Sequence, residues 1–269
     1  MDQRGADHWV VNRDRYDRMY EPFQAALLSA AGIRSGEHVL DVGCGYGTTT
    51  LAAAALARPG TVTGIDVSPT MLALARRSMA GSAGTSTVSF VEDDAQTHPF
   101  PPSTFDVVVS RFGVMFFDDP VAAFTTLRRA TRPGGRLAFV SWRSPAYQPW
   151  LCVPGAAVAR YVELPDLTNS GGPGMFGLAD PDRVRAVLQA AGWTAVELDP
   201  VTAPLRVGSS PEDAVAFLRS GSLGRRALDG ADEDVEARAL AEVRAALAPY
   251  TRPDGVRLDA SVWLLHARA

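Results

Sequence analysis

Residues 39–47 read Val-Leu-Asp-Val-Gly-Cys-Gly-Tyr-Gly, an apolar strand pattern that ends in an acid and leads into a turn with three glycines. A helical pattern follows over residues 48–57. Glycines in such a turn let the backbone approach a ligand closely, because they carry no Cβ atom. The N-terminus of the next helix offers free N–H groups to an anion. The stretch therefore predicts a ligand site where a strand meets a helix.

Strand and helix patterns alternate around this turn from about residue 37 to residue 141. Such alternation predicts βαβ units and a parallel sheet. Two segments, FDVVV and RLAFV, are almost continuously apolar, as is typical of central strands that are covered on both faces. We predict strands at 38–42, 61–65, 87–91, 105–109, 136–141, 193–198 and 260–267, and helices at 48–57, 69–80, 120–130, 156–162 and 181–191, with Ser68, Asp119 and Asp180 as N-caps.

The segments that flank this core differ from it in composition. Apolar and aromatic residues recur at helical spacing over residues 16–27, but Pro22 interrupts them, so we expect two short helices or a kink. Pro133 to Gly135 reads as a turn, and the segment after strand five is rich in Pro, Gly and aromatic residues. We predict an N-terminal helical cap at 1–32, a core at 33–142 and 181–269 with a solvated helical insertion at about 211–248, and a lid insertion at 143–180.

Composition limits the classes of function. The 269 residues are 46% hydrophobic and 21% charged, which is ordinary for a globular protein. A net charge of −4 without a basic block argues against a nucleic-acid partner. All 26 basic side chains are Arg, which excludes a Schiff-base lysine and an ordinary P-loop. The two cysteines show no zinc spacing, and no metal site is predicted.

The N-terminus is polar, without the apolar region of a signal peptide, and the longest apolar run is too short to span a bilayer. We therefore expect a cytoplasmic protein without a membrane partner, as a monomer or a homodimer.

Asp66 closes the second predicted strand, 25 residues after Asp41. In doubly wound sheets an acid at this place accepts hydrogen bonds from ribose hydroxyls. A dinucleotide-binding fingerprint, G-x-G-x-x-G, needs glycine where Thr48 stands, and the spacing here is G-x-G-x-G. The pattern thus departs from that of NAD enzymes, although an NAD-dependent oxidoreductase stays an alternative.

The motif VLDVGCGYG resembles the first signature of class I methyltransferases that use S-adenosylmethionine. The further motifs of that family follow in order over about residues 36–141: GIDVSPTML, VEDDAQTHPF, FDVVVSRFGVMFF and LRRATRPGGRLAFV. SRFGVMFFDDP, GPGMFGLADPDRVRAVLQAAGW and the closing DGVRLDASVWLLHARA resemble a ubiquinone/menaquinone-biosynthesis-like branch that serves small-molecule pathways. The resemblance implies a doubly wound, seven-stranded, mostly parallel sheet of the Rossmann-like methyltransferase fold, with its last strand antiparallel between the fifth and the sixth.

The resemblance also implies roles for individual residues. Asp66 would accept both ribose hydroxyls, Asp94 would bind the adenine amino group, and Ser110 and Arg111 would lie near the sulfonium. Cys44 is expected only as a small residue of the turn, without a thiol role. The implied cofactor contacts are Asp41, Gly43, Cys44, Gly45, Asp66, Val67, Met71, Asp94, Ala95, Ser110 and Arg111.

No motif assigns a catalytic residue. His8 is a candidate general base because imidazole titrates near neutral pH, and Tyr16, Tyr20 and Glu163 are further candidates. The aromatic residues of the first helical region fit core packing as well as a pocket. Seven further residues are expected either to line an apolar acceptor pocket or simply to pack the lid. They are Trp9, Tyr20, Phe112, Met115, Trp142, Trp150 and Phe176.

The function implied is methyl transfer from S-adenosylmethionine to an O, N or C nucleophile of a small, lipophilic or aromatic metabolite, with S-adenosylhomocysteine as product. In place of the Asn-Pro-Pro-Tyr or Asp-Pro-Pro-Tyr tetrapeptide of base-methylating enzymes, the chain has Ser110-Arg-Phe-Gly113. An S-adenosylmethionine-binding protein that transfers no methyl group, a cyclase or a regulatory module on the same fold, is the other alternative.

Overall fold

A computed structural model describes residues 8–80, 87–167 and 172–269 of the chain. Residues 1–7 of the predicted cap and 168–171 of the predicted lid lie outside the described residues. Within the described ranges, no helix combines the length and the apolar character needed to cross a lipid bilayer.

The described chain alternates helices and strands. The helices are α1 (Arg13–Ala31), α2 (Thr48–Ala57), α3 (Pro69–Ala80), α4 (Pro120–Ala130), α5 (Pro149–Val158), α6 (Pro181–Ala190), α7 (Pro211–Ser220), α8 (Ser222–Leu228) and α9 (Glu233–Leu247). The strands are β1 (His38–Val42), β2 (Thr61–Asp66), β3 (Thr87–Glu92), β4 (Phe105–Arg111), β5 (Thr131–Trp142), β6 (Thr194–Gly208), β7 (Thr251–Arg252) and β8 (Gly255–Arg268).

The strands form one sheet in the order β3-β2-β1-β4-β5-β8-β6, and the two-residue β7 pairs with β8. The pairs from β3 to β5 are parallel, whereas β8 runs antiparallel to β5. The predicted doubly wound, mostly parallel fold is confirmed, as is the antiparallel last strand between β5 and β6. The strand order reverses between β1 and β4, and ligands of such sheets bind beyond the carboxyl ends of the strands at that point.

Local sequence signals set the helix starts. The Asp119 carboxylate accepts from the Ala122 N–H, and the Asp180 carboxylate accepts from Asp182 N–H at 2.9 Å. The Ser68 hydroxyl accepts from the Met71 N–H. Each of these three caps is followed by a proline at the first helical position, where the missing N–H costs nothing. The three predicted N-caps are confirmed.

Two helix predictions differ from the structure. α1 continues through Pro22 as one helix, so the prediction of two short helices is wrong, while the alternative of a kink stays a prediction. A proline inside a helix costs about 3 kcal/mol, but burying one large apolar side chain returns about 1.5–3 kcal/mol. Phe23 and Leu27 are fully buried, so the apolar face of α1 outweighs the loss. α5 likewise spans residues 149–158 instead of the predicted 156–162, because its buried face repeats at 150, 154, 157 and 158.

The sheet also differs from the predicted strands at three places. β6 and β8 contain 15 and 14 residues, beyond the predicted 193–198 and 260–267. β6 runs through Pro200 and Pro204, which are tolerated because β6 lies at the edge of the sheet. The predicted turn at 133–135 is part of β5. It forms an irregularity in the pairing with β4, because Phe105 pairs with Thr131 whereas Val107 pairs with Arg136.

The chain divides into two compact units. One comprises Met1–Glu21, Ser144–Asn169 and Thr202–Ser261, and the other comprises Pro22–Arg143, Ser170–Val201 and Val262–Ala269. In the first, α5 packs against α9, and the buried Gln148 side chain donates to the Ser261 carbonyl at 2.6 Å and accepts from its N–H. The second holds β1 to β5. The division into cap, core, insertion and lid stays a proposal.

Candidate functional site

The turn after β1 is built from glycines in left-handed conformations. Gly43, Gly45 and Gly47 have φ of 66°, 54° and 84°. A Cβ atom on Gly43 would lie 2.6 Å from the Gly113 Cα atom, so this glycine lets the loops after β1 and β4 touch. A Cβ atom on Gly45 would meet nothing within 4 Å. Gly45 therefore faces open space, which leaves its backbone accessible to a ligand.

Asp66 links this turn to the end of β2. Its carboxylate accepts from the Gly45 N–H at 2.8 Å and from the Ser68 N–H at 2.9 Å. Burial raises the pKa of Asp66, and the backbone hydrogen bonds from Gly45, Ser68 and Val67 oppose that rise. A carboxylate has about four lone-pair sites, so it keeps acceptor capacity for a hydroxyl. The geometry suits the ribose-binding role that the motif implies.

Asp41 is buried beneath the same turn. Its Oδ2 atom accepts from the Thr50 hydroxyl at 2.6 Å, and its Oδ1 atom finds no hydrogen-bond partner among the described residues. Desolvation raises the pKa of Asp41 to about 6, although the Thr50 hydrogen bond and the Arg111 charge oppose the rise. A buried acceptor without a partner is costly, so a donor on a bound ligand would stabilise the site.

Asp41 should make stability depend on pH when no ligand is bound. Between its ordinary pKa of 3.8 and its folded value of about 6, the folded protein holds a proton that the unfolded chain has released. The free energy of unfolding should therefore fall by about 2–3 kcal/mol as the pH rises from about 4 to about 7. Asp41→Asn cannot ionise and should lose this decrease in urea unfolding measured across that range. The exposed Asp199→Asn should keep it; the same pH dependence in Asp41→Asn and the wild type would contradict the assignment.

The predicted adenine contacts lie around the loops after β2 and β3. The Asp94 carboxylate accepts from the Gln96 side-chain Nε2 atom at 3.0 Å, and the Gln96 side-chain Oε1 atom accepts from the Asp118 N–H at 2.8 Å. Gln96 thus ties the β3 loop to the loop after β4. Met71 and Ala95 are buried, while the side chain of Val67 is 68% exposed. Their roles toward a cofactor stay predictions.

Cys44 packs inside the turn. A Cβ atom on Gly64 of β2 would lie 2.9 Å from the Cys44 Sγ atom, so the missing side chain makes room for it. Burial raises the pKa of the thiol, which keeps it protonated at neutral pH. The environment fits the expectation of a small turn residue without thiol chemistry.

Ser110 and Arg111 end β4 and have different environments. The Ser110 hydroxyl donates to the Val42 carbonyl at 2.8 Å and accepts from the N–H groups of Gly113 and Val114. Its side chain is fully buried, so it holds the two loops together. The half-buried Arg111 donates through Nη1 to the Gln24 side-chain oxygen at 2.9 Å. Its charge opposes the raised pKa of Asp41.

The sequence motifs did not assign a role to Gln24, Thr49 or Gly113. Gln24 is 87 residues from Arg111 and lies in α1, outside every motif. Gly113 lies within the motif FDVVVSRFGVMFF, and a glycine directly after β4 was the one local signal.

Some of the predicted pocket residues come together in the second unit. Phe112 has a φ of 65°, which is unusual for a residue with a side chain, and its ring stacks on Trp142 with centroids 4.5 Å apart. Phe23 packs edge-on against both rings. Met115 and Phe176 are buried. Backbone strain of this kind is often found where a side chain is aimed at a ligand.

The catalytic candidates lie in the first unit. The His8 Nε2 atom and the Tyr16 hydroxyl are 3.0 Å apart, and the Trp9 ring stacks on Tyr16 at 3.7 Å. Burial, more than the charges of Arg225 and Arg15, lowers the pKa of His8, and burial raises the pKa of Tyr16. Tyr20 is also buried beside this group, at 5.6 Å from the Tyr16 ring.

Trp150, a predicted pocket residue, and Glu163, a catalytic candidate, also belong to the first unit. The Trp150 indole donates to the Gln148 side chain at 3.2 Å, and Glu163 is exposed. The catalytic and acceptor-binding roles of all these residues stay predictions.

Comparison with known proteins identifies the family of this chain. Residues 39–135 match the family described as a methyltransferase domain. A demethylmenaquinone methyltransferase of Beutenbergia cavernae is 32% identical over 189 residues, which cover 67% of this chain and 74% of that protein. The chain belongs to the S-adenosylmethionine-dependent methyltransferases. Enzymes of this family take S-adenosylmethionine as cofactor.

Other methyltransferase relatives match shorter stretches. The aklanonic acid methyltransferase DauC of a Streptomyces species is 36% identical over 131 residues, which cover 47% of this chain and 59% of DauC. Three uncharacterised mycobacterial relatives are 39% identical, and the match covers 44% of their length. The chain thus spans about half the length of these relatives. Among solved structures, the YcgJ protein of Bacillus subtilis is similar in fold, with a TM-score of 0.61 at 17% identity over 92% of this chain and 98% of that one.

Proposed function

We propose that the chain transfers the methyl group of S-adenosylmethionine to an O, N or C nucleophile of a small metabolite. The observation that carries the proposal is the accessible Gly45 backbone beside the Asp66 carboxylate, at the carboxyl ends of β1 and β2. A ribose fits there with its hydroxyls on Asp66. The unpartnered Asp41 Oδ1 atom next to the turn suits a hydrogen-bond donor on the cationic part of the cofactor.

The chemistry requires alignment more than a reactive side chain. The cofactor supplies a methyl group on a sulfonium; the carbon–sulfur bond breaks, its electron pair stays on sulfur, and the methyl carbon bonds to the nucleophile. Asp66, the glycine turn and Asp94 hold the nucleoside in one orientation. Alignment of this kind accounts for about 7–11 kcal/mol in intramolecular reactions. A hydroxyl or carbon nucleophile also gives up a proton.

His8 is our candidate to accept that proton, with the Tyr16 hydroxyl as its hydrogen-bond partner at 3.0 Å. Since the pKa of His8 is lowered, its imidazole is neutral near pH 7 and able to accept a proton, while the raised pKa of Tyr16 keeps its hydroxyl protonated. Tyr20 is kept as a third candidate because it packs against Tyr16.

A lipophilic or aromatic acceptor is our proposal for the substrate class. The half-buried Phe112, held in a strained conformation against Trp142, offers a flat apolar surface two residues after Ser110. The names of two relatives support an acceptor of this kind, since one acts on demethylmenaquinone and the other on aklanonic acid.

Turnover with a labelled donor tests the proposal. The purified protein is incubated with S-adenosylmethionine carrying a ¹³C methyl group and a panel of hydroquinones, phenols, aromatic acids and amines. We expect acceptor-dependent release of S-adenosylhomocysteine and a product heavier by the labelled methyl group, both measured by mass spectrometry. Tight donor binding without S-adenosylhomocysteine release for any acceptor would favour a binding protein that does not methylate, and binding of NAD alone would favour an oxidoreductase.

A further inference from the structure

His8, Asn12 and Tyr16 lie on one face of the helical segment that leads into α1. They are four residues apart, and backbone bonds from Asn12 N–H to the His8 carbonyl and from Tyr16 N–H to the Asn12 carbonyl continue the helical pattern. The Asn12 Nδ2 atom donates to the His8 carbonyl at 3.0 Å and lies 3.4 Å from the His8 Nδ1 atom. The other ring nitrogen, Nε2, lies 3.0 Å from the Tyr16 hydroxyl. The imidazole is therefore held between an amide and a phenol.

The Asn12 amide determines which ring nitrogen of His8 carries the hydrogen. The His8 carbonyl accepts only from an N–H group, so it fixes the amide with its NH₂ group toward the ring. An amide nitrogen donates and does not accept, so its bond to Nδ1 requires an unprotonated Nδ1 atom. The neutral imidazole then has its hydrogen on Nε2 and donates it to the Tyr16 oxygen. In this tautomer, His8 accepts a further proton at Nδ1.

This tautomer leaves the hydroxyl hydrogen of Tyr16 without an acceptor. His8 is the one hydrogen-bond partner of that hydroxyl among the described residues, and it occupies the oxygen as a donor. Tyr16 is 8% exposed, so a donor without an acceptor is costly there. The Trp9 ring stacks on Tyr16 at 3.7 Å and the Phe217 ring packs edge-on at 5.4 Å, which fixes the position of the hydroxyl. An oxygen of a bound ligand would complete the hydrogen bonds of this group.

The charges that act on the pair favour an anionic oxygen. Burial lowers the pKa of His8, and the positive charges of Arg225 and Arg15 lower it further, although Asp213 pairs with Arg15. Burial raises the pKa of Tyr16 against the effect of the same two charges, so the phenol stays protonated and able to donate. Hydrogen bonds to ionised acceptors are roughly twice as strong as those between neutral groups.

We propose that the Tyr16 hydroxyl, oriented by His8 and Asn12, donates a hydrogen bond to an oxyanion of the methyl acceptor. The acceptor is then a phenol or an enol, bound as its phenolate or enolate. The inference rests on the proposed function and deepens it, because it adds a required oxygen to the aromatic or lipophilic class. Tyr16 is the group that contacts the acceptor, and His8 and Asn12 position its hydrogen.

Nitrogen NMR of protein with ¹⁵N-labelled histidine tests the tautomer without a ligand. The chain has four histidines, and His8→Gln identifies the signals of His8 by their disappearance. In the neutral ring of the wild type we expect a protonated Nε2 atom and an unprotonated Nδ1 atom. Asn12→Asp replaces the amide donor by an acceptor and should place a proton on Nδ1. A protonated Nδ1 atom in the neutral wild-type ring, or an unprotonated one in Asn12→Asp, would overturn the proposal.

Two probe ligands test the hydrogen bond from Tyr16 to an oxyanion. 4-Nitrophenolate carries the oxygen, and nitrobenzene has the same nitro-substituted ring without it. Calorimetric titrations, at a pH where the phenol is ionised, give the dissociation constant of each for the wild type and Tyr16→Phe. Tyr250→Phe, at a half-buried tyrosine in the short turn after α9, is the matched control.

We expect Tyr16→Phe to weaken 4-nitrophenolate binding about 10-fold and nitrobenzene binding less than about 2-fold. Tyr250→Phe should leave the ratio of the two affinities unchanged. An equal loss for both probes in Tyr16→Phe would mean a packing role and would overturn the proposal, as would a wild-type protein without preference for 4-nitrophenolate. Neither measurement uses the methyl donor, so normal probe selectivity without methyl transfer to any acceptor would overturn the proposed function alone.

Discussion

Alanine at position 66 should weaken the binding of S-adenosylhomocysteine by about 100-fold or more. Two ribose hydroxyls lose a charged acceptor, and each hydrogen bond to a charged group contributes about 1.5–3 kcal/mol. The turn also loses the hydrogen bonds that the Gly45 and Ser68 N–H groups donate to this carboxylate. Because it keeps the same ribose and lacks only the amino-acid arm, 5′-methylthioadenosine should lose affinity to a similar extent.

Asp199→Ala is the matched control for this substitution. Asp199 is an exposed aspartate of the edge strand β6. Its loss should leave the dissociation constant within about 2-fold of the wild type, since exposed surface substitutions usually change stability by less than about 0.5 kcal/mol. If calorimetry found equal affinities for the wild type and Asp66→Ala, Asp66 would not bind the ribose, and the proposed position of the ribose would be wrong.

Alanine at position 43 should lower the free energy of unfolding by about 2–5 kcal/mol. The new Cβ atom would lie 2.6 Å from the Gly113 Cα atom, a backbone atom that cannot rotate away. A left-handed φ of 66° adds about 1–2 kcal/mol for a residue with a side chain. Overpacking that forces backbone shifts costs about 1–3 kcal/mol. Urea unfolding of the wild type and of Gly43→Ala measures the sum.

Substitutions at two other glycines separate the cost of backbone strain from the cost of the contact with Gly113. Gly36 has a φ of 87° and open space around its Cβ position, so Gly36→Ala should cost only the backbone strain, about 1–2 kcal/mol. Gly45 also faces open space, so Gly45→Ala should have a similar cost in stability but should also lose cofactor affinity. If Gly43→Ala and Gly36→Ala lowered the free energy of unfolding equally, the contact with Gly113 would not constrain the turn.

Local signals in the sequence were enough for the elements that form the site. β1 and α2 begin and end where the apolar run, the acid and the glycines predict. The caps at Asp119 and Asp180 act through neighbours at most three residues away, so short-range chemistry determines them. The motif order also placed Asp66 and Arg111 at the strand ends, because parallel strands bring their carboxyl ends to one edge.

Tertiary context decided what local signals could not. Proline is a breaker in an isolated segment, but Pro22 lies within a helix whose apolar face is buried. Pro200 and Pro204 lie in an edge strand. Gln24 contacts Arg111 across 87 residues, and its own neighbours in the sequence carry no sign of that contact. A single sequence also leaves the acceptor open, because no motif refers to it.

The most direct test of the account is a crystal structure of the protein grown with S-adenosylhomocysteine. We predict density for the nucleoside across the turn at residues 43–47, with its ribose hydroxyls on the Asp66 carboxylate and its amino-acid arm toward Arg111. Density for the ligand elsewhere, or a turn at residues 43–47 closed by side chains with no ligand bound, would contradict the account.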